Sequence, residues 1–129
     1  MPILTLDTNQ SIAPEHCTEL LHKASDLLAN MLAKPKSSIM VRINPGAHLM
    51  IDDSTEPTAY IQLKLFAFPR EQAAGFVKTV TAFVQTELGV ALDRQYHRLI
   101  DMPPSMFGWN GSTFLRCICE TASNRFFLS

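Results

Sequence analysis

The sequence predicts an α+β fold made from a duplicated βαβ unit (βαββαβ), a four-stranded sheet with two helices on one face. Three observations lead there. Four segments alternate apolar and polar residues with the period of a strand, and two others repeat apolar residues every three or four positions, as an amphipathic helix does. The strand, helix, strand order then occurs twice, with equivalent strand starts about 57 residues apart, Pro2 with Ala59 and Ile39 with Tyr96. Right-handed crossovers set the strands of each half parallel and put both helices on the same side.

Taken in order, Ile3 to Asp7 alternate Leu4 and Leu6 against Ile3, Thr5 and Asp7, a strand that starts at the head of the sequence. Pro14 suits the first turn of a helix, and Cys17, Leu20, Leu21, Ala24, Leu27, Leu28, Met31 and Leu32 form its apolar stripe. The helix is expected to end near Lys34-Pro35, because proline disfavours helical geometry in the residue before it. Ile39, Val41 and Ile43 mark the second strand, closed by the turn Asn44-Pro45-Gly46, with a short strand expected near His48 to Ile51. Ala59, Ile61, Leu63 and Leu65 mark the third. Ala73, Phe76, Val77, Val80, Phe83, Val84 and Leu88 give the second helical stripe, with Gly89 placed as its cap. Gln95 to Ile100 reads as the fourth strand. Beyond it come Pro103-Pro104, the aromatic segment Phe107-Gly108-Trp109-Asn110 and an alternating stretch from Thr113 to Cys119.

The 129 residues, 47% of them hydrophobic, suit one compact domain spanning residues 1–129. Such a chain buries roughly two thirds of its unfolded surface and needs no disulfide or metal to fold. Apolar residues on both sides of the strands, with Ile3, Tyr60, Phe66 and Phe68 opposite the helix-facing set, predict that a second copy covers the open face. Eleven basic and 12 acidic residues without a like-charged block argue against nucleic acid as a partner. No apolar run is long enough to span a membrane, and the head of the sequence lacks a signal peptide's basic and apolar regions, so a cytoplasmic protein is expected. Cys17, Cys117 and Cys119 are odd in number and lack C-x-x-C spacing, which predicts reduced packing cysteines. Asn110-Gly111-Ser112 fits a glycosylation triplet but reads as a turn. His16, His22, His48 and His97 show no metal-ligand spacing, and neither a metal nor a cofactor is expected.

Three segments carry a resemblance: MPILTLDTN at the start, STEPTAYIQLK in the middle, and DRQYHRLIDM with GWNGSTF near the end. In order and separation they resemble the macrophage migration inhibitory factor and D-dopachrome tautomerase family, over about residues 2–114, leaving 115–129 as a C-terminal extension. The resemblance implies a homotrimer with active sites between adjacent subunits. It also implies a cofactor-independent keto-enol tautomerase of the phenylpyruvate or dopachrome type, in which the amine of Pro2, exposed by removal of Met1, is the general base.

Chemically, a free α-amine titrates near ~8, and an apolar site or a nearby cation lowers that value, giving a base poised near neutral pH. The alternative for Pro2 is simply to begin a strand. Lys34 falls where the family has its pocket lysine, with a substrate carboxylate as its partner, although a lysine at a helix C-terminus also complements the helix dipole. Lys36 is the second candidate, expected to be solvated. Phe66 aligns with a position whose backbone N–H helps hold substrate, Tyr96 with a tyrosine supplied by the neighbouring subunit, and Phe107, Trp109 and Phe114 with apolar walls. For Phe114 a place in the subunit interface is equally open.

Three departures stand out. Arg98 replaces an asparagine and Phe107 a valine, which makes the entrance more basic and tighter. Thr58 and Ile61 occupy the positions of the mammalian cytokine's C-x-x-C, so thiol-disulfide chemistry does not carry over. Two further readings stand beside the enzyme: a cytokine-like ligand for a protein receptor, with a vestigial or binding-only pocket and export by a non-classical route, and a trimeric scaffold without retained chemistry.

Overall fold

The computed structural model describes residues 1–114. The extension 115–129, with Cys117, Cys119 and most of the stretch from Thr113, lies outside the described residues. The main elements are β1 (Ile3–Thr8), α1 (Pro14–Leu32), β2 (Met40–Asn44), β3 (Ala59–Phe66), α2 (Ala73–Leu88) and β4 (Gln95–Met102). The four strands form one sheet in the order β2-β1-β3-β4. β1 and β2 are parallel, as are β3 and β4, and the two halves join through the antiparallel pair β1 and β3. This is the expected duplicated βαβ arrangement.

Alternation decides what the sheet buries. Leu4, Leu6 and Thr8 of β1 and Ala59, Ile61, Leu63 and Leu65 of β3 are buried, while the residues between them are not. The apolar members of this set pack with Ala24 and Leu28 of α1 and Phe76, Val80 and Val84 of α2 in a single core. Both helices end on a left-handed residue, Ala33 (φ 52°) and Gly89 (φ 66°), whose N–H groups bond the carbonyls of Ala29 and Gln85. α1 therefore stops at Leu32, just short of the expected Lys34-Pro35 boundary.

Two expectations are corrected. Phe68 is not on the open face: it is buried against the Phe76 ring, centroids 5.8 Å apart. Ala67 adopts φ 48°, which breaks the alternation after β3 and turns Phe68 beneath α2. The segment His48 to Ile51 forms no strand, because no strand among the described residues lies beside it to take its backbone bonds. Only Ile51 bridges to Ser54, across a turn in which Asp52 and Asp53 both have positive φ. β4 also runs on to Met102, two residues past its expected end.

The long connection into β3 is held by side chains. Arg94 donates from Nε to the Pro57 carbonyl (3.0 Å), from Nη1 to Ile51 (3.1 Å), and from Nη2 to Ser54 (2.9 Å), Glu56 (3.1 Å) and the Thr58 hydroxyl (2.7 Å). Asn9 holds the same segment from the other side, through the carbonyls of Thr55 and Glu56 and the Thr58 N–H. A short hairpin, β5 (Gly108–Trp109) with β6 (Ser112–Thr113), turns at Asn110-Gly111, where both residues have positive φ.

Truncating Leu28, which has no solvent exposure, leaves a cavity between α1 and the sheet. Leu28→Ala is expected to cost about 2–5 kcal/mol in urea unfolding. His97 is half-buried, with Nε2 2.9 Å from Thr81 Oγ1 and 3.0 Å from Gln95 Oε1. Burial lowers its pKa below the ordinary 6.5, so the folded state favours the neutral ring. Its contribution to stability is complete above the unfolded value of about 6.5 and declines as pH falls from there towards the folded value. Melting temperatures across that window should fall less steeply for His97→Gln than for the wild type.

Candidate active site

β1 places the head of the chain inside the sheet. The Pro2 carbonyl accepts the Met40 N–H at 3.0 Å, and Pro2 itself is fully buried. Beside it opens a cleft of about 230 Å³, walled on one side by Ser37, Ser38, Ile39 and Met40 and on the other by Phe107, Gly108 and Trp109. Met1 sits in this cleft, so in the unprocessed chain the terminal amine belongs to Met1 and the Pro2 nitrogen is an amide. That amine titrates below the ordinary α-amine value of 8.0, first because burial penalises its charged form and second because the Lys34 ammonium repels a nearby positive charge.

Lys34 owes its position to the end of α1. The left-handed Ala33 turns the chain, and the Lys34 N–H bonds the Ala29 carbonyl at 3.2 Å. A single 3₁₀ turn over Lys36–Ser38 then leads into β2, with the Ser38 hydroxyl donating to the Pro35 carbonyl at 2.9 Å. Lys36 pairs with Asp26 on α1 and is thereby held on the outer surface, which separates the two lysine candidates.

Three rings cluster at the same end of the sheet. Phe66 stacks on Phe114, centroids 4.2 Å apart and planes 11° from parallel, and Phe107 meets Phe66 edge-on at 5.3 Å. The Phe114 N–H bonds the Phe107 carbonyl, which ties the residue after β6 to the residue before β5. Trp109 is left 52% exposed at the cleft mouth. Pro2, Lys34, Phe66, Phe107, Trp109 and Phe114 are thus gathered at one end.

Tyr96 and Arg98 are not gathered with them. The cross-sheet register puts Asp7, Tyr60 and Tyr96 in one row and Ile3, Lys64 and Ile100 in another, with Pro2 one step beyond Ile3. Four residues along the strand and two strands across, Tyr96 is roughly 16 Å from the Ile3 row's end of β1. It lines a separate hollow of about 360 Å³ with Leu49, Met50, Ile51, Thr58, Ala59 and Tyr60. Sequence reasoning missed the Ser37–Met40 wall of the Pro2 cleft. The parallel match of Ile3 with Met40 would have found it, but register is invisible until the strands are paired. A larger hollow of about 590 Å³, lined by Asn9, Ser11, His48 and Met50 among others, has only His48 as a titratable group and brings no amine or cation together with it.

Comparison with known proteins agrees with the fold. The family description of macrophage migration inhibitory factor matches residues 1–115. A macrophage migration inhibitory factor homolog of Trichuris trichiura is 33% identical over 116 residues, 88% of this chain and 100% of that protein. The crystal structure of a homologue from Prochlorococcus marinus superposes with a TM-score of 0.80 at 28% identity, covering 87% of this chain and 98% of that one. The corresponding Trichinella spiralis structure gives 0.76 at 29% identity, covering 87% and 99%. The βαββαβ sheet, the Pro2 cleft beside Lys34 and these matches make this chain a member of the macrophage migration inhibitory factor family, within the tautomerase superfamily.

Proposed function

We propose that the protein is a cofactor-independent keto-enol tautomerase in which the Pro2 amine, freed by removal of Met1, is the general base. The observation that carries this reading is the cleft at Pro2: the Met1 amine that lies in it has its proton affinity reduced by burial and by Lys34, and a Pro2 amine freed there meets the same surroundings. An unprotonated secondary amine there takes a proton from the carbon next to a ketone and returns one to the enol, so substrate and product are isomers and nothing else is consumed. Lys34 binds the carboxylate of a 2-oxo acid such as phenylpyruvate and keeps the amine unprotonated. Phe107 and Trp109 wall the slot. In this proposal the working unit is a homotrimer, and Tyr96, remote from Pro2 in its own chain, completes the site of the adjacent subunit. A cytokine-like binding role is the second reading, supported by the names that the relatives carry.

Phenylpyruvate tautomerisation by protein whose mass confirms loss of Met1 tests the base. Pro2→Gly is expected to lower kcat/KM about 100-fold or more, and a Met1-retaining form to be inactive. An equally active glycine variant would remove Pro2 from the mechanism and leave the binding reading in front.

The pH profile carries a defined sign. The base works unprotonated, so kcat/KM should fall as pH drops through the pKa of the Pro2 amine, expected below the ordinary α-amine value because the same surroundings lower that of Met1. Lys34→Gln should move that pKa upward without restoring it fully, because at the Met1 amine in the same cleft burial is the larger cause and the Lys34 charge the smaller. The same variant should raise KM for the carboxylate substrate. Amine titration by NMR and steady-state kinetics read the two effects separately.

A further inference from the structure

The open face of the sheet carries cations that no carboxylate among the described residues neutralises. One cross-strand row reads Arg42, Thr5, Gln62, Arg98, and the next reads Met40, Ile3, Lys64, Ile100. Arg98 and Lys64 are therefore diagonal neighbours on one face, about 8 Å apart at the backbone. Among the described residues the ion pairs are His16 with Glu19, Lys23 with Glu87 and Lys36 with Asp26, so neither Arg98 nor Lys64 has a carboxylate partner. Arg42 bonds the side chain of Asn44, and the Arg94 guanidinium is taken up by the connection before β3. The acids nearby are engaged elsewhere. Asp7 accepts the Asn44 amide at 2.6 Å, and Asp101, on the helix side of β4, accepts the Phe68 N–H.

Arg98 is exposed, and it follows Tyr96 by two residues on the same face of an edge strand. Any surface that receives Tyr96 therefore receives Arg98 about 7 Å further along the strand. We infer that Arg98 makes the site selective for 2-oxo acids bearing a second carboxylate. The inference rests on the proposed site shared between subunits, in which Tyr96 of one chain faces Pro2 of the next.

Such a site holds two cations from different chains, Lys34 beside the amine and Arg98 beside Tyr96. A monocarboxylate satisfies one of them and leaves the other desolvated and unpaired. A 2-oxo dicarboxylate satisfies both, with the guanidinium fork matching a carboxylate through two parallel hydrogen bonds. The aromatic walls favour the same substrate class: the stacked faces of Phe66 and Phe114 are spent on each other, leaving fewer faces for an aryl group. The reaction stays balanced. A proton leaves the carbon next to the ketone for the Pro2 amine, and the ketone oxygen gains one as the enol forms.

Enol-oxaloacetate and enol-phenylpyruvate, assayed with processed wild type, Arg98→Ala and Arg98→Lys, decide the matter. Wild type is expected to favour oxaloacetate by at least tenfold in kcat/KM. Arg98→Ala should cut that ratio about 10- to 100-fold, mainly through the oxaloacetate KM, as loss of a charge-assisted pair predicts. Arg98→Lys should recover part of it, since it keeps the charge but not the fork. A wild type that favours phenylpyruvate, or an Arg98→Ala variant that leaves the ratio unchanged, overturns the inference while leaving Pro2 as the base. Inactivity of processed wild type on both substrates overturns the base assignment and the inference together.

Discussion

The first strand of this chain lies in the middle of its sheet. β1 bonds β2 on one side and β3 on the other, so the head of the sequence, which in most proteins frays, is fixed from its second residue. Every feature of the candidate site follows from that constraint. The Pro2 carbonyl is tied to Met40, the connection entering β2 becomes one wall of the cleft, and the level of Leu65 and Phe66 on β3 sets where the aromatic rings gather. The terminal amine, on Met1 one residue ahead of this anchor, lies in the cleft beside it.

That environment acts through two effects with the same sign. Burial penalises the ammonium form, and the Lys34 charge opposes a second positive charge close by. Lys34 is available for this because α1 stops at Leu32 and the left-handed Ala33 redirects the chain, whereas Lys36, two residues on, is drawn back to Asp26. One backbone dihedral and one ion pair thus separate two lysines that the sequence presents as near equals. The helix end serves the fold and the site together, since a cation there also complements the helix dipole.

The opposite end of the sheet looks unfinished in a single chain. Among the described residues β4 is an edge strand and the segment His48 to Met50 has no strand beside it, and Tyr96 and Met50 are 64% and 60% exposed. Edges of this kind are managed in folded proteins by cover or pairing. Their backbone is nonetheless firmly placed, because Arg94 and Asn9 knot the connection before β3 to its surroundings. The chain therefore presents a firmly placed surface with Tyr96 and Arg98 on it, distant from its own Pro2.

Much of the fold was legible in the sequence because the signals involved are local. Alternation fixes a strand's buried side, three- and four-residue spacing fixes a helix face, and Gly89 announces a left-handed cap, so element order, the two-fold repetition and Pro2 at the start of β1 could all be read from neighbours in the chain. Pro2 and Lys34 were legible as candidates by position and by resemblance. Tertiary structure alone decided what depends on residues brought together from far apart: the Ser37–Met40 wall, the Phe66, Phe107 and Phe114 cluster, the Arg94 fan, and the separation of Tyr96 from Pro2. It also decided the side on which Phe68 lies, because a single positive φ at an alanine reverses the alternation and nothing in that residue's chemistry announces it.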